Sequence, residues 1–194
     1  MLLCEAFGFD VILVETVGTG QSEISVRCMV DFFLLLLVPG AGDELQGIKK
    51  GVVELADAIL INKADGENKL PSEAARAEYN RALHYLTPST EGWRPRAHTA
   101  SALTGEGIGH IWSVVARFAE KTQASGAFAA RRQAQAREWL HALIEAQLHD
   151  YFYGLPAVKE KLAGVETAVI QGTLPATAAA KQLMALFQTK QNAQ

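Results

Sequence analysis

The apolar residues of the chain gather in short runs that are separated by longer stretches of helix-like spacing. Runs rich in Val, Ile and Leu occupy residues 11–14, 32–38 and 58–61, and a weaker run occupies residues 96–102. Polar residues do not alternate with apolar ones within these runs, which is typical of strands buried on both faces of a parallel sheet. Strands that alternate with helices in this way predict an α/β fold.

Helical spacing of apolar residues governs the second half of the chain. Within residues 107–121, an amphipathic helix that packs on the sheet is predicted by the spacing of Ile108, Ile111, Trp112, Val115 and Phe118. The apolar stripe from Trp139 to Leu148 predicts a longer helix, which is either core for the α/β body or a face for a partner. We therefore expect an α/β domain in residues 1–124 and a helical extension in residues 125–194.

Composition and charge narrow the classes of function. The 194 residues carry a net charge of -3, which gives no sign of a basic surface for nucleic acid or an anionic membrane. The longest apolar run, residues 32–38, is far shorter than the roughly 20 residues of a membrane-spanning helix. The first residues also lack the basic start and the cleavage site of a secretory signal. We expect a cytoplasmic protein that binds neither nucleic acid nor membrane.

Polar segments, most of them rich in glycine, follow the four apolar runs. They read ETVGTGQSE, PGAGDELQGIKKG, NKADGENK and SALTGEG. Ligands of open α/β sheets collect at the carboxyl ends of the strands, which makes these segments the candidate site. Four such strand ends exceed what solvated loops require, although any one of them alone is compatible with a simple turn.

The strongest signal is NKAD at residues 62–65. In an NKxD pattern the aspartate, here Asp65, can accept two hydrogen bonds from the N1 and N2 donors of guanine, which adenine does not present. The stem of Lys63 can lie along the ring, and Asn62 can tie the loop to its neighbours. The competing interpretation is that Asn62 and Asp65 serve only the chemistry of a turn.

Two weaker patterns support the first interpretation. Ser101, Ala102 and Leu103 end the next candidate strand, where the backbone N–H of Ala102 can meet O6 of guanine. In ETVG, Glu15 can orient water around Mg²⁺ and Gly18 can approach the γ-phosphate of a nucleotide. SAL alone carries almost no information, and ETVG alone is better explained as a glutamate that ends a strand at a glycine turn.

Together these segments resemble the MeaB/ArgK family of P-loop GTPases, which includes the methylmalonic aciduria type A protein. VETVGTGQSE is similar to the family's switch II, and PGAGDELQGIKKGVVELAD is similar to its switch III region. NKAD and SALTGEGI are similar to its two guanine loops, and the order is the same. The resemblance covers nearly the whole chain and implies part of a SIMIBI-type P-loop NTPase sheet with a C-terminal helical arm for dimerisation.

The resemblance also implies roles for the matching residues. Glu15 would act on Mg²⁺ through water and Gly18 on the γ-phosphate of GTP. Guanine, in GTP or GDP, would be bound by Asn62, Lys63, Asp65, Ser101, Ala102 and Leu103. The switch that reports nucleotide state would contain Asp43, Glu44, Gln46, Lys49 and Lys50. The family uses GTP hydrolysis to assist adenosylcobalamin-dependent methylmalonyl-CoA mutase, and a homodimer through the C-terminal helices is implied.

The phosphate-binding pattern GxxxxGK[ST] does not occur among the 194 residues. That loop supplies the backbone cradle for the phosphates, a lysine on the β and γ oxygens and a hydroxyl on Mg²⁺. In the family it lies upstream of the ETVG strand. We therefore expect this chain alone to bind GTP poorly, to be inactive in hydrolysis and to expose apolar sheet faces and edges.

Two other functions stay open. An older description of the same family is a kinase or ATPase associated with lysine, arginine and ornithine transport. NKAD argues against it, because Asp65 offers adenine no matching pair of donors. The other alternative is a non-enzymatic fragment that only dimerises through its helical arm, and its sole support is the stripe at residues 139–148.

Overall fold

The structure is a computed structural model that describes residues 2–16, 26–40 and 46–191. Its contacts divide the chain into two compact units, Met1–Gln135 and Ala136–Gln194. The first unit contains the sheet and the helices that cover it. The second contains only helices among the described residues.

A parallel sheet forms the centre of the first unit. Its order is β1 (Leu34–Leu37), β2 (Ala58–Ile61) and β3 (Ala97–Thr99). Every residue of the central strand is buried, and Ile59 pairs with Leu35 on one side and with Ala97 on the other. The predicted α/β fold with a parallel sheet is therefore confirmed.

Helices cover both faces of this sheet. The helices of the first unit are α1 (Leu2–Ala6), α2 (Gln46–Leu55), α3 (Lys69–Tyr85), α4 (Ile108–Ser125) and the first part of α5 (Ala127–Gly154), with a 3-10 turn (Gly66–Asn68) before α3. On one face, Ile59 belongs to a buried cluster with Val53 of α2 and Leu83 of α3. On the other face, Leu60 belongs to a cluster with Val114 of α4. Alternate residues of β2 thus supply two separate cores.

Helix α4 differs in its buried face from the sequence expectation. The helix predicted at residues 107–121 is present, but Trp112 is 52% exposed. The buried positions are instead Ile111, Val114, Phe118 and Thr122, which recur at three- and four-residue intervals. The apolar stripe of α4 is therefore narrower than the sequence indicates, because only one line of positions faces the sheet.

The apolar run at residues 11–14, predicted as a strand, has an irregular backbone, and that prediction is wrong. Val11 is 51% exposed and Leu13 is 88% exposed. An apolar run becomes a strand only when a neighbour pairs with its backbone, and within the described residues β1 pairs with β2 alone. Leu36 of β1 is likewise 56% exposed, so apolar surface remains uncovered in this unit.

The outer edge of β3 is closed by a side chain. The amide of Asn80, on α3, donates to the carbonyl of Ala97 at 3.2 Å and accepts from the N–H of Ala97 at 3.0 Å. These are the two bonds that a further strand would make to this residue. Asn80 therefore satisfies the edge of the sheet where β3 would otherwise present free backbone groups.

The second unit is built from the end of α5, α6 (Pro156–Ile170) and α7 (Ala176–Gln191). Its core joins Val165 of α6 to Ala179 and Leu183 of α7. Proline at the first position of α6 suits a helix start, because the missing N–H would have no partner there. Within the described residues, no helix combines the length and the apolar character needed to cross a membrane.

Candidate functional site

The loop after β2 is tied to the loop after β3 by Asn62. The backbone N–H of Asn62 donates to the carbonyl of Leu37 at 2.8 Å, which continues the pairing of β1 with β2. Its Oδ1 accepts the N–H of Lys63 at 2.8 Å and the N–H of Ala102 at 3.1 Å. One amide oxygen thus fixes both strand ends, as parallel strands that end at the same edge of a sheet permit.

A second tie joins Asp65 to Ser101. The hydroxyl of Ser101 donates to Oδ2 of Asp65, and the same hydroxyl accepts the N–H of Thr104 at 3.1 Å. Ser101 is fully buried and Asp65 is half-buried. Within the described residues, Oδ1 of Asp65 accepts no hydrogen bond. The carboxylate is therefore held in orientation through one oxygen while the other keeps its capacity to accept.

Lys63 has a left-handed backbone. Its φ is +62°, which is uncommon for a residue with a Cβ atom and concentrates at functional sites. The side chain is exposed. The N–H of Lys63 donates to Oδ1 of Asn62 within the same tight turn. Lys63, which lies between the base-binding candidates Asn62 and Asp65, therefore carries the conformational strain.

The loop of Ser101 is shaped by its own backbone bonds and by Gly107. The N–H of Ser101 donates to the carbonyl of Glu106, and the N–H of Gly105 donates to the carbonyl of Ser101, both at 2.9 Å. Gly107 has a φ of +80°, and a Cβ atom placed there would lie 2.5 Å from the carbonyl oxygen of Thr99. The glycine thus allows the start of α4 to press against the end of β3.

The remaining predicted residues lie in several parts of the chain. Gly18, Asp43 and Glu44 lie outside the described residues, and Gln46, Lys49 and Lys50 lie in the first turns of α2, where only the backbone is described. Glu15 lies in an irregular segment and is exposed. Ala102 and Leu103 are exposed in their loop, and Leu103 is 86% exposed. The structure brings together Asn62, Asp65, Ser101 and Ala102, but not Glu15.

The donor set fits a guanine base better than it fits a metal. The paired loops offer one ordered carboxylate, the backbone N–H of Ala102 and an exposed lysine, which is the polar complement of a purine edge. Across the described residues no three His, Cys, Asp or Glu side chains gather into a group that could hold a metal ion. Glu15 by itself offers Mg²⁺ a single exposed carboxylate.

Sequence reasoning missed a buried carboxylate at the opposite end of β2. Asp57 is 1% exposed and directly precedes the strand. Its oxygens accept the N–H of Phe33 at 2.9 Å, the hydroxyl of Thr90 at 2.5 Å and the guanidinium of Arg131 at 3.1 and 3.2 Å. A lone Asp beside an apolar run looks the same in sequence as a solvated turn residue, because its partners are distant along the chain.

The chain is similar to known GTPases along most of its length. A family model described as "Methylmalonyl Co-A mutase-associated GTPase MeaB" matches residues 1–156. The chain is 52% identical to a "Putative GTPase" of Caulobacter vibrioides, covering 96% of this chain and 57% of the relative. It is 43% identical to the "Methylmalonic aciduria type A homolog, mitochondrial" of Mus musculus, covering 98% of this chain and 46% of the relative. The "GTPase ArgK" of Escherichia coli is also 43% identical, with coverages of 98% and 57%.

A solved structure is similar over nearly the same span. The crystal structure of a "LAO/AO transport system kinase" superposes with a TM-score of 0.76 at 40% identity, covering 96% of this chain and 60% of that one. The chain thus spans about half the length of the curated relatives it matches. The activities of those relatives belong to whole proteins that contain more residues than this chain spans.

Proposed function

Because the chain belongs to the MeaB family of methylmalonyl-CoA mutase-associated GTPases, we propose that its two tied loops form the base-binding half of a guanine nucleotide site. The observation that carries this proposal is the pair of cross-loop bonds, Asn62 to Ala102 and Ser101 to Asp65. They hold a carboxylate and a backbone N–H in one place with no ligand required. Such preorganisation lowers the entropic cost of binding a planar base.

The discrimination between bases rests on Asp65. A carboxylate that accepts from N1 and N2 of guanine finds at adenine an acceptor and no exocyclic donor in the same positions, so the wrong base leaves it unpaired. Ser101 fixes the carboxylate through Oδ2. The N–H of Ala102 would turn toward O6 of the base or share its bond between O6 and Oδ1 of Asn62, which lies 3.1 Å away.

Exchange of the base tests this assignment directly. Saturation-transfer NMR would compare GDP, ADP and XDP at millimolar concentration on the wild-type chain and on the Asp65→Asn variant. We expect the wild type to prefer GDP and the variant to prefer XDP, because an amide presents a donor where xanthine presents a carbonyl. Unchanged preference for GDP in the variant would refute the role of Asp65.

The phosphate half of the site is expected to be weak within these residues. GxxxxGK[ST] is absent from the 194 residues, so Glu15 and Gly18 would meet Mg²⁺ and the γ-phosphate without the loop that normally holds them. We propose that this chain alone binds GTP weakly and does not turn it over. Micromolar affinity for a fluorescent GTP analogue, together with Mg²⁺-dependent release of phosphate, would contradict this.

In the whole protein, the nucleotide site would serve a partner enzyme. We propose that the segment containing Asp43, Glu44, Gln46, Lys49 and Lys50 reports nucleotide state to methylmalonyl-CoA mutase, which the family description names. The protein would then gate the loading of adenosylcobalamin and protect the mutase. Binding of the mutase that is identical with GDP and with a non-hydrolysable GTP analogue would refute a nucleotide-reporting role.

The helical arm would provide a homodimer interface. The apolar stripe of α5 is uncovered in the single chain: Leu140, Leu143, Ile144 and Leu148 are 55%, 42%, 46% and 55% exposed. No residue of α5 is buried, which argues against the alternative that the stripe is core. When a second copy of the chain covers an exposed stripe of this kind, the free energy falls, because apolar surface is removed from water.

Sedimentation velocity over a range of concentrations tests the dimer. We expect the wild-type chain to associate and a Leu140→Glu/Leu148→Glu variant to remain monomeric. Ile170→Glu is the control, because Ile170 is 86% exposed but lies on α6, outside the stripe. A wild-type chain that stays monomeric at all concentrations would rule out the interface.

A kinase or ATPase function is the second candidate, favoured by the name of the transport system kinase whose structure resembles this chain. It requires that adenine be bound at least as well as guanine. The same comparison of GDP with ADP separates the two candidates. A clear preference for ADP would favour the kinase.

A further inference from the structure

A cleft of about 540 Å³ lies in the first unit, apart from the base-binding loops. It is lined by Trp93, Arg94, Arg96 and His98, which precede or belong to β3, and by Arg117 and Lys121 of α4. No residue of the two base-binding loops lines it. Its volume is within the range of small-molecule sites, which is about 300–1,000 Å³.

Four unpaired cations line this cleft. Arg94, Arg96, Arg117 and Lys121 form no ion pair within the described residues, and the single carboxylate of the lining is Glu120. Five cations outside the cleft pair with carboxylates, and these are Arg27, Lys69, Arg76, Arg131 and Arg132. In a protein with a net charge of -3, this concentration of positive charge is local. Such a cleft attracts anions.

His98 lines the cleft and has cationic side chains around it. Its Nδ1 lies 3.1 Å from Nε2 of His110, while its own Nε2 is buried without a hydrogen-bond partner in the described structure. Burial, then the neighbouring His110, Arg117, Arg76 and Arg96, lower the pKa of His98 to about 4. A buried polar atom without a partner is unfavourable and is usually paired when a site is complete.

Trp93 gives the cleft a fixed aromatic wall. Its indole N–H donates to the carbonyl of Asp57 at 2.8 Å, and its ring packs edge-to-face on Phe118 at 5.2 Å between centroids. Trp93 is nevertheless only half-buried. A second cleft of about 720 Å³ shares Trp93, Arg94 and Lys121, so the ring stands between two openings.

We propose that this cleft binds a small organic phosphate, with the phosphoryl group against the arginines and the carbon skeleton against Trp93. The planar forks of Arg94, Arg96 and Arg117 suit the bidentate recognition of phosphate oxygens. The concave shape and the aromatic wall favour a small molecule over an extended acidic peptide, which needs a long groove. The site is independent of the guanine loops, since it shares no residue with them.

Pyrophosphate is the probe for the charged part of the site. Isothermal titration would compare the wild-type chain with an Arg94→Ala/Arg117→Ala variant and with a charge-matched Arg81→Ala/Arg137→Ala control, whose arginines are exposed outside the cleft. Losing two charged hydrogen-bond donors should raise the Kd about tenfold or more in the cleft variant. The control should stay within about twofold of the wild type, since distant exposed charges are screened.

A second readout locates the bound anion. The Cε1 proton resonance of His98 should shift on addition of pyrophosphate, and the pKa of His98 should rise, because a nearby anion favours the charged imidazole. The Asp65→Asn variant should bind pyrophosphate as the wild type does, which separates this site from the base-binding loops. Phenyl phosphate should bind more tightly than inorganic phosphate if Trp93 forms the wall for a carbon skeleton.

The proposal fails on any of three results. Equal weakening in the cleft variant and the Arg81→Ala/Arg137→Ala control would mean that only net charge matters. An unshifted His98 resonance at saturating pyrophosphate would place the anion elsewhere. A hexaglutamate peptide that binds more tightly than pyrophosphate, and loses this affinity in the cleft variant, would make the cleft a docking surface for protein.

Discussion

The guanidinium of Arg131 donates two parallel hydrogen bonds, of 3.1 and 3.2 Å, to the buried carboxylate of Asp57. Arg131 belongs to the first turns of α5, and Asp57 directly precedes the central strand of the sheet. Arg131 also donates to the carbonyl of Asp31 and to the hydroxyl of Thr90. One side chain therefore joins the start of α5 to three separate segments of the α/β unit, which explains why that unit extends to Gln135.

Removing the charge of Asp57 should destabilise the fold strongly. Asp57→Asn leaves Arg131, whose side chain is only 11% exposed, without its counter-ion, and breaking a largely buried pair in this way costs about 3–5 kcal/mol. The free energy of unfolding in urea would measure the loss. Asp31→Asn is the matched control, because Asp31 pairs with Arg132 at the surface and exposed pairs contribute no more than about 1 kcal/mol. Equal losses in the two variants would contradict the role of burial.

The bond from Ser101 to Asp65 should matter for nucleotide binding. In Ser101→Ala the carboxylate loses the donor that orients it, and we expect the affinity for GDP to fall about five- to tenfold, as for one hydrogen bond. NMR titration would measure the Kd. Ser113→Ala should bind GDP like the wild type, because within the described residues the hydroxyl of Ser113 bonds only to a carbonyl of its own helix. An unchanged Kd in Ser101→Ala would indicate that the bond serves only the loop.

The left-handed backbone of Lys63 should trade stability for binding. Lys63→Gly removes the steric cost of a φ of +62° and should raise the free energy of unfolding by about 0.5–1 kcal/mol, while it removes the stem expected to lie along the base. Lys63→Ala keeps the strain and also removes the stem. Both variants should therefore bind GDP more weakly than the wild type, but only the glycine variant should gain stability in urea unfolding. A gain in both would exclude backbone strain as the cause.

Gly107 should not tolerate a Cβ atom. In Gly107→Ala that atom would lie 2.5 Å from the carbonyl oxygen of Thr99, and with a positive φ the change should cost about 2 kcal/mol or more. Gly109→Ala, two residues on in α4, meets nothing within 4 Å and should leave stability unchanged or raised by up to about 1 kcal/mol. Thermal unfolding of both variants distinguishes a steric cause from a general effect of glycine replacement.

His98 should make the fold sensitive to acid. The pKa of His98 is lowered from 6.5 to about 4, by burial first and then by His110 of α4, Arg117 of α4, Arg76 of α3 and Arg96 before β3. Below pH 6.5 the unfolded chain therefore binds a proton at this histidine, whereas the folded chain binds it only at about pH 4. The stability that is present above pH 6.5 is lost as the pH falls through this window.

A pair of histidine variants isolates this contribution. His98→Gln should lose less stability than the wild type between pH 7 and about pH 4.5, because glutamine does not titrate. His84→Gln, which replaces an exposed histidine of α3, should follow the wild type. Urea unfolding at the two pH values measures both. Parallel pH dependence in all three proteins would show that other groups cause the acid sensitivity.

The sequence predicted the parts of the fold that depend on continuous burial. Residues 58–61 are the central strand, as the apolar run indicates, since a strand covered on both faces needs no alternation. The proximity of residues 62–65 to residues 101–103 was also predictable, because parallel strands end at one edge of the sheet. The particular bonds of Asn62 and Ser101 were not, since several rotamers satisfy the same motif.

Other features escape the sequence for a physical reason. The apolar run at residues 11–14 has the composition of a strand, but strand formation depends on a neighbour that local composition does not specify. Asp57 and Arg131 are 74 positions apart, and no local pattern links them. The cationic cleft combines residues of α4 with residues before β3, which become neighbours only when the sheet has formed.

The amide of Asn80 gives the sheet a direction of growth. Because it occupies both backbone groups of Ala97, a newly arriving strand cannot pair with the first residue of β3, whereas β1 has no second neighbour in the described chain. Any extension of this sheet, whether by another segment of a longer protein or by unwanted self-assembly, should therefore begin beside β1. Replacing Asn80 by Ala would free the backbone groups of Ala97, so that strands could add beside β3 as well as beside β1.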